Sequence, residues 1–129
     1  MEEILEFLRE NVFFVATVDG DQPRVRPFGA PLLYEGELYL FTGQGKNVYN
    51  QMLANPLIEV AGINDDGEWL RLTAEAEVVL DDDIVAAFLE DDPTLKEYYA
   101  VGDGHAAPVR LKVLAASMNS EEKGKREII

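Results

Sequence analysis

The alternation of hydrophobic and polar positions predicts a chain built mainly from β-strands. The clearest strand runs from Trp69 to Leu80, where apolar and polar residues alternate. Such alternation is typical of a strand that buries one face only. The predicted inward positions are Leu70, Leu72, Ala74, Ala76, Val78 and Leu80. The predicted outward positions are Trp69, Arg71, Thr73, Glu75 and Glu77.

Five other runs rich in β-branched or aromatic residues also predict strands. They are Val12–Val18, Pro23–Tyr34, Leu38–Thr42, Leu57–Ile63 and Pro108–Ala116. The second run contains three prolines, each of which removes a ladder donor, so we expect it to be irregular, bulged or at a sheet edge. Polar residues from Asn119 to Arg126 predict a frayed tail.

Short helices are predicted between these strands. Apolar spacing, acidic residues at helix starts and prolines at helix ends indicate four helical stretches. They are Glu2–Asn11, Asn47–Ala54, Ile84–Glu90 and Pro93–Tyr99. Together the elements predict a mainly β (α+β) fold, a six-stranded antiparallel barrel with short flanking helices. The 129 residues contain no linker or repeat, so residues 1–129 are predicted to form a single domain.

Composition narrows the classes of function. Acidic residues outnumber basic ones 25 to 11, giving a net charge of −14, and such a surface repels nucleic acid and anionic lipids. The absence of cysteine excludes disulfides, zinc knuckles, iron–sulfur clusters and a thiol nucleophile. The start Met1-Glu2-Glu3 lacks the basic residues of a signal peptide. We therefore expect a cytoplasmic protein that handles small molecules, with no nucleic-acid, membrane or metal partner.

One segment is locally cationic within this acidic chain. Residues 22–58 carry Arg24, Arg26 and Lys46 against only Glu35 and Glu37. The two arginines are two apart on a strand and share a face. Lys46 follows Gly43-Gln44-Gly45 at a predicted helix start, where free amides attract phosphate, and the hydroxyl of Thr42 lies close by in sequence. The segment predicts an anion site, although the same charges would also suit surface pairs with the two glutamates.

Other candidate sites are weaker. The glycines at 43 and 45 do not complete a dinucleotide fingerprint or a Walker sequence. The only histidine, His105, could bind haem or a metal, but a solvated loop position is the commoner case. The acidic runs at 81–83 and 91–92 are more typical of helix caps than of a calcium-binding loop, because they lack the glycine-containing spacing of such a loop. No catalytic residue is predicted from the sequence.

The chain from Val12 to about Leu80 resembles the pyridoxamine 5′-phosphate oxidase-like family, the FMN-binding split barrels. The resemblance depends on the segments PRVRPFG, LYLFTGQGKNVYNQ and GEWLRL, and on the NP that follows the second. It implies a six-stranded split barrel, a homodimer and FMN at the subunit interface. It also implies a flavin-dependent oxidoreductase that acts on a small molecule or takes electrons from a small donor. In that interpretation residues 1–129 are one FMN-binding split-barrel domain.

The resemblance also implies cofactor contacts for specific residues. Arg24, Val25, Arg26 and Pro27 would line the flavin, with Arg26 toward its phosphate. Phe41 and Thr42 would follow the ribityl chain, and Lys46 and Asn47 would reach the phosphate. Trp69 occupies the position of a further flavin-contacting side chain in the family.

The resemblance leaves alternatives open. The C-terminal end, LKVLAASMNSEEKGKREII, lacks the Trp-Arg pattern with which the true oxidases hold pyridoxal phosphate, and this argues against that activity. Superfamily members bind a deazaflavin or haem instead of FMN. A non-enzymatic flavin- or haem-binding protein, used for storage or sensing, is the alternative function.

Overall fold

The computed structural model describes all 129 residues, in which three short helices interrupt one antiparallel sheet. The helices are α1 (Glu2–Glu10), α2 (Asn47–Ala54) and α3 (Asp82–Asp91), followed by a 3₁₀ turn over Pro93–Glu97. The strands are β1 (Phe13–Asp19), β2 (Gln22–Phe28), β3 (Leu32–Tyr34), β4 (Glu37–Gly43), β5 (Leu57–Ile63), β6 (Trp69–Val78), β7 (Ala106–Ser120) and β8 (Gly124–Glu127). None of the helices is long and apolar enough to cross a bilayer.

The strands form a single sheet in the order β2-β1-β5-β6-β7-β4-β3, with β8 paired to β7. The mainly β class is confirmed, but the sheet has eight strands where the sequence predicts six. One additional strand arises because Pro23–Tyr34 breaks at residues 29–31, where Ala30 has a φ of 54°. The resulting strands, β2 and β3, lie at opposite edges of the sheet, as the prolines predict.

The second additional strand comes from the tail, and the prediction of a frayed end is wrong. Strand β7 continues to Ser120 and returns through a turn into β8. The amide of Ile128 then donates to the carbonyl of Ala116 at 2.8 Å, and its side chain packs on the core. Arg126 pairs with Glu3 at 2.6 Å. Sequence periodicity over four residues is too short to reveal such a strand.

One face of the sheet encloses the main hydrophobic core. Alternate residues of β1, β4, β5, β6 and β7 point into it, and α1 and α2 contribute Ile4, Leu8, Val48 and Met52. The inward positions predicted for β6 are confirmed as far as Val78. Leu80 is an exception, because β6 has ended and the chain turns into α3, leaving this side chain 57% exposed.

Helix α3 covers the opposite face of β4. Asp81 caps the helix by accepting a hydrogen bond from the amide of Asp83 at 2.8 Å, as the acidic run predicts. Phe88 of the helix packs on Phe41 with ring centroids 4.8 Å apart. Strand β4 is therefore buried on both faces.

Gly62→Ala should destabilise the fold by about 1–3 kcal/mol through overpacking. A Cβ at this position would lie 3.0 Å from the carbonyl oxygen of Val12 and 3.1 Å from Cβ of Phe13. Gly45→Ala is the matched control, because a Cβ there meets nothing within 4 Å. Chemical denaturation of both variants measures the difference, and equal stabilities would contradict close packing of β1 against Gly62.

Candidate functional site

Arg26 ties together three elements at one end of the core. It lies on β2 opposite Val15 of β1, on the face that points inward. Its guanidinium donates to the carbonyl of Val15 at 3.2 Å and to Oγ1 of Thr17 at 2.8 Å. It also donates to Oε1 of Gln51, on α2, at 2.6 Å. Thr17 donates to the same Gln51 oxygen at 2.6 Å, so the three side chains form a closed network.

No carboxylate neutralises Arg26. Each of the other five arginines forms an ion pair, and Arg26 forms none. Burial, with a smaller contribution from the charge of Arg24, lowers the pKa of Arg26 below its usual range. Three of its five N–H groups are used within the chain, which leaves two for a ligand. The charge is thus held in place, partly desolvated and unpaired.

A second cationic feature, the start of α2, faces the same space. Lys46 immediately precedes the helix, is exposed and forms no ion pair. No side chain caps this helix, and the amides of Asn47 and Val48 precede its first intrahelical hydrogen bond. A helix N-terminus with free amides carries partial positive charge and attracts anions.

These residues line one groove of about 890 Å³. Of the predicted cofactor contacts, the groove brings together Arg24, Val25, Arg26, Lys46 and Asn47. Arg24 lies on the same face as Arg26, as the strand spacing predicts, but its side chain is exposed and pairs with Asp19 at 3.4 Å. The partially buried arginine and the helix start therefore form the inner part of the groove, and Arg24 forms its outer part.

A smaller cavity of about 230 Å³ continues from the groove between the edge strand β2 and β4. It shares Arg26, Lys46 and Val48 with the groove, and Pro27, Phe41 and Thr42 complete the predicted contacts in it. Thr42 is buried at the end of β4. Phe41, on the opposite face of the strand, is packed mainly in the cluster beneath α3.

Trp69 is not part of this arrangement. It begins β6, pairs with Ile63 and Asn119, and lines neither the groove nor the smaller cavity. The guanidinium carbon of Arg71 lies 4.8 Å from the centre of its ring. Trp69 therefore lies on the outer face of the sheet, away from the groove and the smaller cavity.

A third cavity, of about 480 Å³, includes residues that the sequence analysis did not place in the cofactor site, among them Tyr98, Tyr99 and His105. We call it the aromatic cavity; it is lined by Gly29, Ala30, Phe41, Lys46, Asp92, Leu95, Tyr98, Tyr99 and His105. His105 is not a solvated loop residue: it is half-buried and stacks on Tyr99 with ring centroids 4.9 Å apart. The sequence signal is weak, because the five residues between Tyr99 and His105 form a glycine-rich loop with no periodic pattern.

Asp103 holds the loop that carries His105. Its carboxylate accepts hydrogen bonds from the amides of Ala100, His105 and Ala106 at 2.8–2.9 Å. These backbone hydrogen bonds lower the pKa of Asp103 from 3.8 to about 2. The loop geometry therefore depends on a charged carboxylate and not on hydrophobic burial.

The family model described as Pyridoxamine 5′-phosphate oxidase matches residues 1–121. A NimC/NimA family protein from Clostridium acetobutylicum is 40% identical, with a TM-score of 0.94, and the match covers 98% of this chain and 90% of that one. No curated protein is similar enough to the chain to add to these findings.

More distant structures share the fold. One is a protein from Clostridium acetobutylicum related to general stress protein 26, of the pyridoxinephosphate oxidase family (16% identity, TM-score 0.76, 98% of this chain and 91% of that one). Another is HupZ from Group A Streptococcus (16% identity, TM-score 0.67, 96% of this chain and 95% of that one). At such identities the likeness concerns the fold alone.

Asp103→Asn should lower the stability of the protein at neutral pH, because the neutral amide binds the three N–H groups less strongly than the carboxylate. A carboxylate with a depressed pKa stabilises the fold above its ordinary pKa of 3.8 and loses that contribution as pH falls toward about 2. Thermal unfolding at several pH values should show a Tm difference that shrinks across this window. Asp65→Asn, on an exposed turn, is the control, and a pH-independent difference for Asp103→Asn would contradict the assignment.

Proposed function

We propose that this chain, which belongs to the pyridoxamine 5′-phosphate oxidase family, is an FMN-dependent oxidoreductase acting on a small molecule. The observation that carries the proposal is Arg26, the one arginine without a carboxylate partner, positioned beside the free amides that begin α2. A partly desolvated, unpaired guanidinium is costly unless an anion binds it. In a protein of net charge −14 such a site is hard to explain as a general surface feature.

The residues present fit a flavin phosphate. A phosphate brings up to two negative charges and three acceptor oxygens. Arg26 offers two free N–H groups, Lys46 an unpaired ammonium, and the first amides of α2 two further donors. Pro27, Phe41 and Thr42 in the adjoining cavity would accompany the remainder of the cofactor. We propose that the sheet is the family's split barrel, with this cavity at the opening between β2 and β4.

In this proposal the protein positions the cofactor and does not supply the redox chemistry. A bound flavin would supply hydride and electron transfer through its ring. The chain's own residues hold the phosphate, orient the ring and exclude water from the cavity between β2 and β4. No pair of titratable side chains suited to general acid–base chemistry lines the groove. This agrees with a protein that binds the cofactor and leaves the redox chemistry to it.

A binding protein without turnover is the second candidate, and His105 is the observation that favours it. This half-buried histidine lies in an aromatic cavity and is the only histidine that could ligate haem iron. The absorbance spectrum of protein purified without added cofactor separates the cases: flavin or deazaflavin bands, a haem Soret band, or no visible absorbance. Turnover of a reduced nicotinamide with an artificial acceptor then separates an enzyme from a binder.

We also propose a homodimer, because one outer face of the sheet carries several exposed apolar side chains. Phe14 on β1 lies opposite Pro27 on β2 and Ala61 on β5. Val25 and Ile63 on the same face are 67% and 61% exposed. Trp69 lies on the same outer face, opposite Ile63.

Ile63→Glu should convert the dimer to monomer, because it places a charge in an interface expected to bury on the order of 2,000 Å² or more. Leu80→Glu, at an equally exposed leucine outside the sheet, is the control. Light scattering at micromolar concentration measures the mass. A monomeric wild type, or an Ile63→Glu variant that keeps the dimer mass, would contradict this interface.

Arg26→Ala and Lys46→Ala should each weaken FMN binding roughly 10- to 150-fold, because a charge-assisted hydrogen bond contributes about 1.5–3 kcal/mol. Riboflavin, which lacks the phosphate, should bind almost equally to all variants. Arg24→Ala should have a smaller effect because Arg24 already pairs with Asp19. Fluorescence-quenching titrations give the affinities.

Lys112→Ala provides the matched control, since Lys112 is an exposed lysine that forms no ion pair and lies away from the groove. Thermal unfolding of each variant checks that the Arg26 network has not simply collapsed. FMN affinities that are equal in wild type, Arg26→Ala and Lys46→Ala would mean that the phosphate binds elsewhere.

A further inference from the structure

The aromatic cavity opens beside the proposed phosphate site, and Lys46 lines both. Its main wall is a set of flat rings. Tyr99 and His105 stack with only 19° between their planes, and Phe41 meets Tyr99 edge-on at 82° with centroids 4.8 Å apart. Tyr99 and His105 both remain partly exposed, and Tyr98 is 73% exposed. Aromatic surface is therefore left over for a further flat ring.

Two polar groups in this wall have unused hydrogen-bonding capacity. The hydroxyl of Tyr99 and the ring nitrogens of His105 form no hydrogen bond within the chain, whereas the nearby carboxylates of Asp92 and Asp103 are both engaged. Both groups converge over Gly43: a Cβ there would lie 3.1 Å from Nε2 of His105 and 3.1 Å from the Tyr99 hydroxyl. Binding sites for small molecules typically combine apolar walls with a few convergent polar groups of this kind.

Gly43 makes this convergence possible. A Cβ at position 43 would lie only 2.6 Å from Cε1 of His105, so any side chain there would displace the imidazole. The sequence suggests this glycine, at the end of β4, as part of a phosphate loop. In the structure it is needed because it has no side chain and leaves room for the His105 ring, and its φ is not in the left-handed region.

The charges around the aromatic cavity favour an uncharged ligand. The carboxylate of Asp92 already accepts from the amide and the hydroxyl of Thr94, at 3.2 and 2.5 Å. Lys46 is assigned to the phosphate in the proposed function. The protein as a whole carries −14 and repels free anions. Asp92 keeps its negative charge despite these hydrogen bonds, but Lys46 lines the same cavity with the opposite charge, so the wall carries no net charge that would select an acid or a base.

We propose that the aromatic cavity binds a flat, uncharged aromatic molecule with a carbonyl-type acceptor oxygen, stacked on the Tyr99–His105 pair and hydrogen-bonded to the Tyr99 hydroxyl or to a ring nitrogen of His105. This molecule is the small-molecule reaction partner of the flavin. That last role rests on the proposed function, because it requires a flavin in the adjoining groove. Binding of the ring to the cavity does not require it.

Ligand-observed NMR titrations on the full-length protein, with and without FMN, test the proposal with three probes. Benzamide is flat and neutral and carries a carbonyl acceptor oxygen. Cyclohexanecarboxamide keeps the amide but has no flat ring, and benzoate keeps the ring but is charged. Benzamide should bind roughly 2- to 13-fold more tightly than cyclohexanecarboxamide, the range that ring stacking supplies. It should also bind more tightly than benzoate. Equal binding of the two amides, or tighter binding of benzoate, overturns the assigned ligand class.

Variants of the cavity residues test whether benzamide binds in the aromatic cavity. His105→Leu should remove the preference for benzamide over cyclohexanecarboxamide, and Tyr99→Phe, which keeps the ring, should weaken benzamide while leaving the Tm unchanged. Gly43→Ala should weaken benzamide by displacing His105. Lys112→Ala should leave every affinity unchanged. A full benzamide preference in His105→Leu overturns the proposal, whatever the result for Tyr99→Phe.

The two proposals fail in distinguishable ways. FMN affinity, measured by fluorescence quenching, should be the same within about twofold in wild type and His105→Leu. FMN binding without any benzamide preference overturns the aromatic cavity as a ligand site and leaves the flavin site standing. Benzamide preference without FMN binding supports the cavity and overturns both the proposed function and the ligand's role as the flavin's partner.

Discussion

The arrangement of the candidate site depends on the Arg26 guanidinium, which is held at the end of the core by oxygens and not by a carboxylate. Its hydrogen bonds to Val15, Thr17 and Gln51 fasten the edge strand β2 to β1 and both strands to α2. Desolvating a cation without a counter-charge costs free energy, and the lowered pKa of Arg26 reflects that cost. The fold can retain such a charge because the neighbouring oxygens satisfy three of its donors. The same arrangement leaves the remaining two preorganised for an anion.

The position of Arg26 follows from the breaks in the sheet. Pro23 and Pro27 confine β2 to an edge, and the turn at Ala30 separates it from β3 at the other edge. Because the two edges do not pair, the ends of β2 and β4 leave a cavity between them instead of a continuous ladder. The irregular proline-rich run therefore leaves a cavity that Arg26, the buried Thr42 and the start of α2 line together.

Sequence reasoning found the parts of this site that depend on local pattern. The two-residue spacing of Arg24 and Arg26, and the position of Lys46 before α2, are local and could be predicted. His105 stacks on Tyr99 because Asp103 fixes the loop between them. The spacing of hydrophobic and polar residues gives no sign of this contact. Strand β8 escaped prediction because its four exposed residues resemble a polar tail until β7 supplies a partner. Trp69 is predicted to contact the cofactor from the family resemblance alone. The sheet order places its strand β6 three strands away from β2, and this order could not be read from the sequence.

The charge distribution connects the fold to the kind of ligand it admits. A protein of net charge −14 repels a phosphate at long range, so affinity has to come from donors within hydrogen-bonding distance. Arg26, Lys46 and the free amides of α2 supply such donors over a few ångströms. A ligand without the phosphate gains nothing from them, and an anion that cannot reach them meets only the repulsive surface. In the proposed function, a phosphorylated cofactor is selected because Arg26, Lys46 and the free amides of α2 lie together in the groove. An uncharged reaction partner is selected because Asp92 and Lys46 give the adjoining aromatic cavity no net charge.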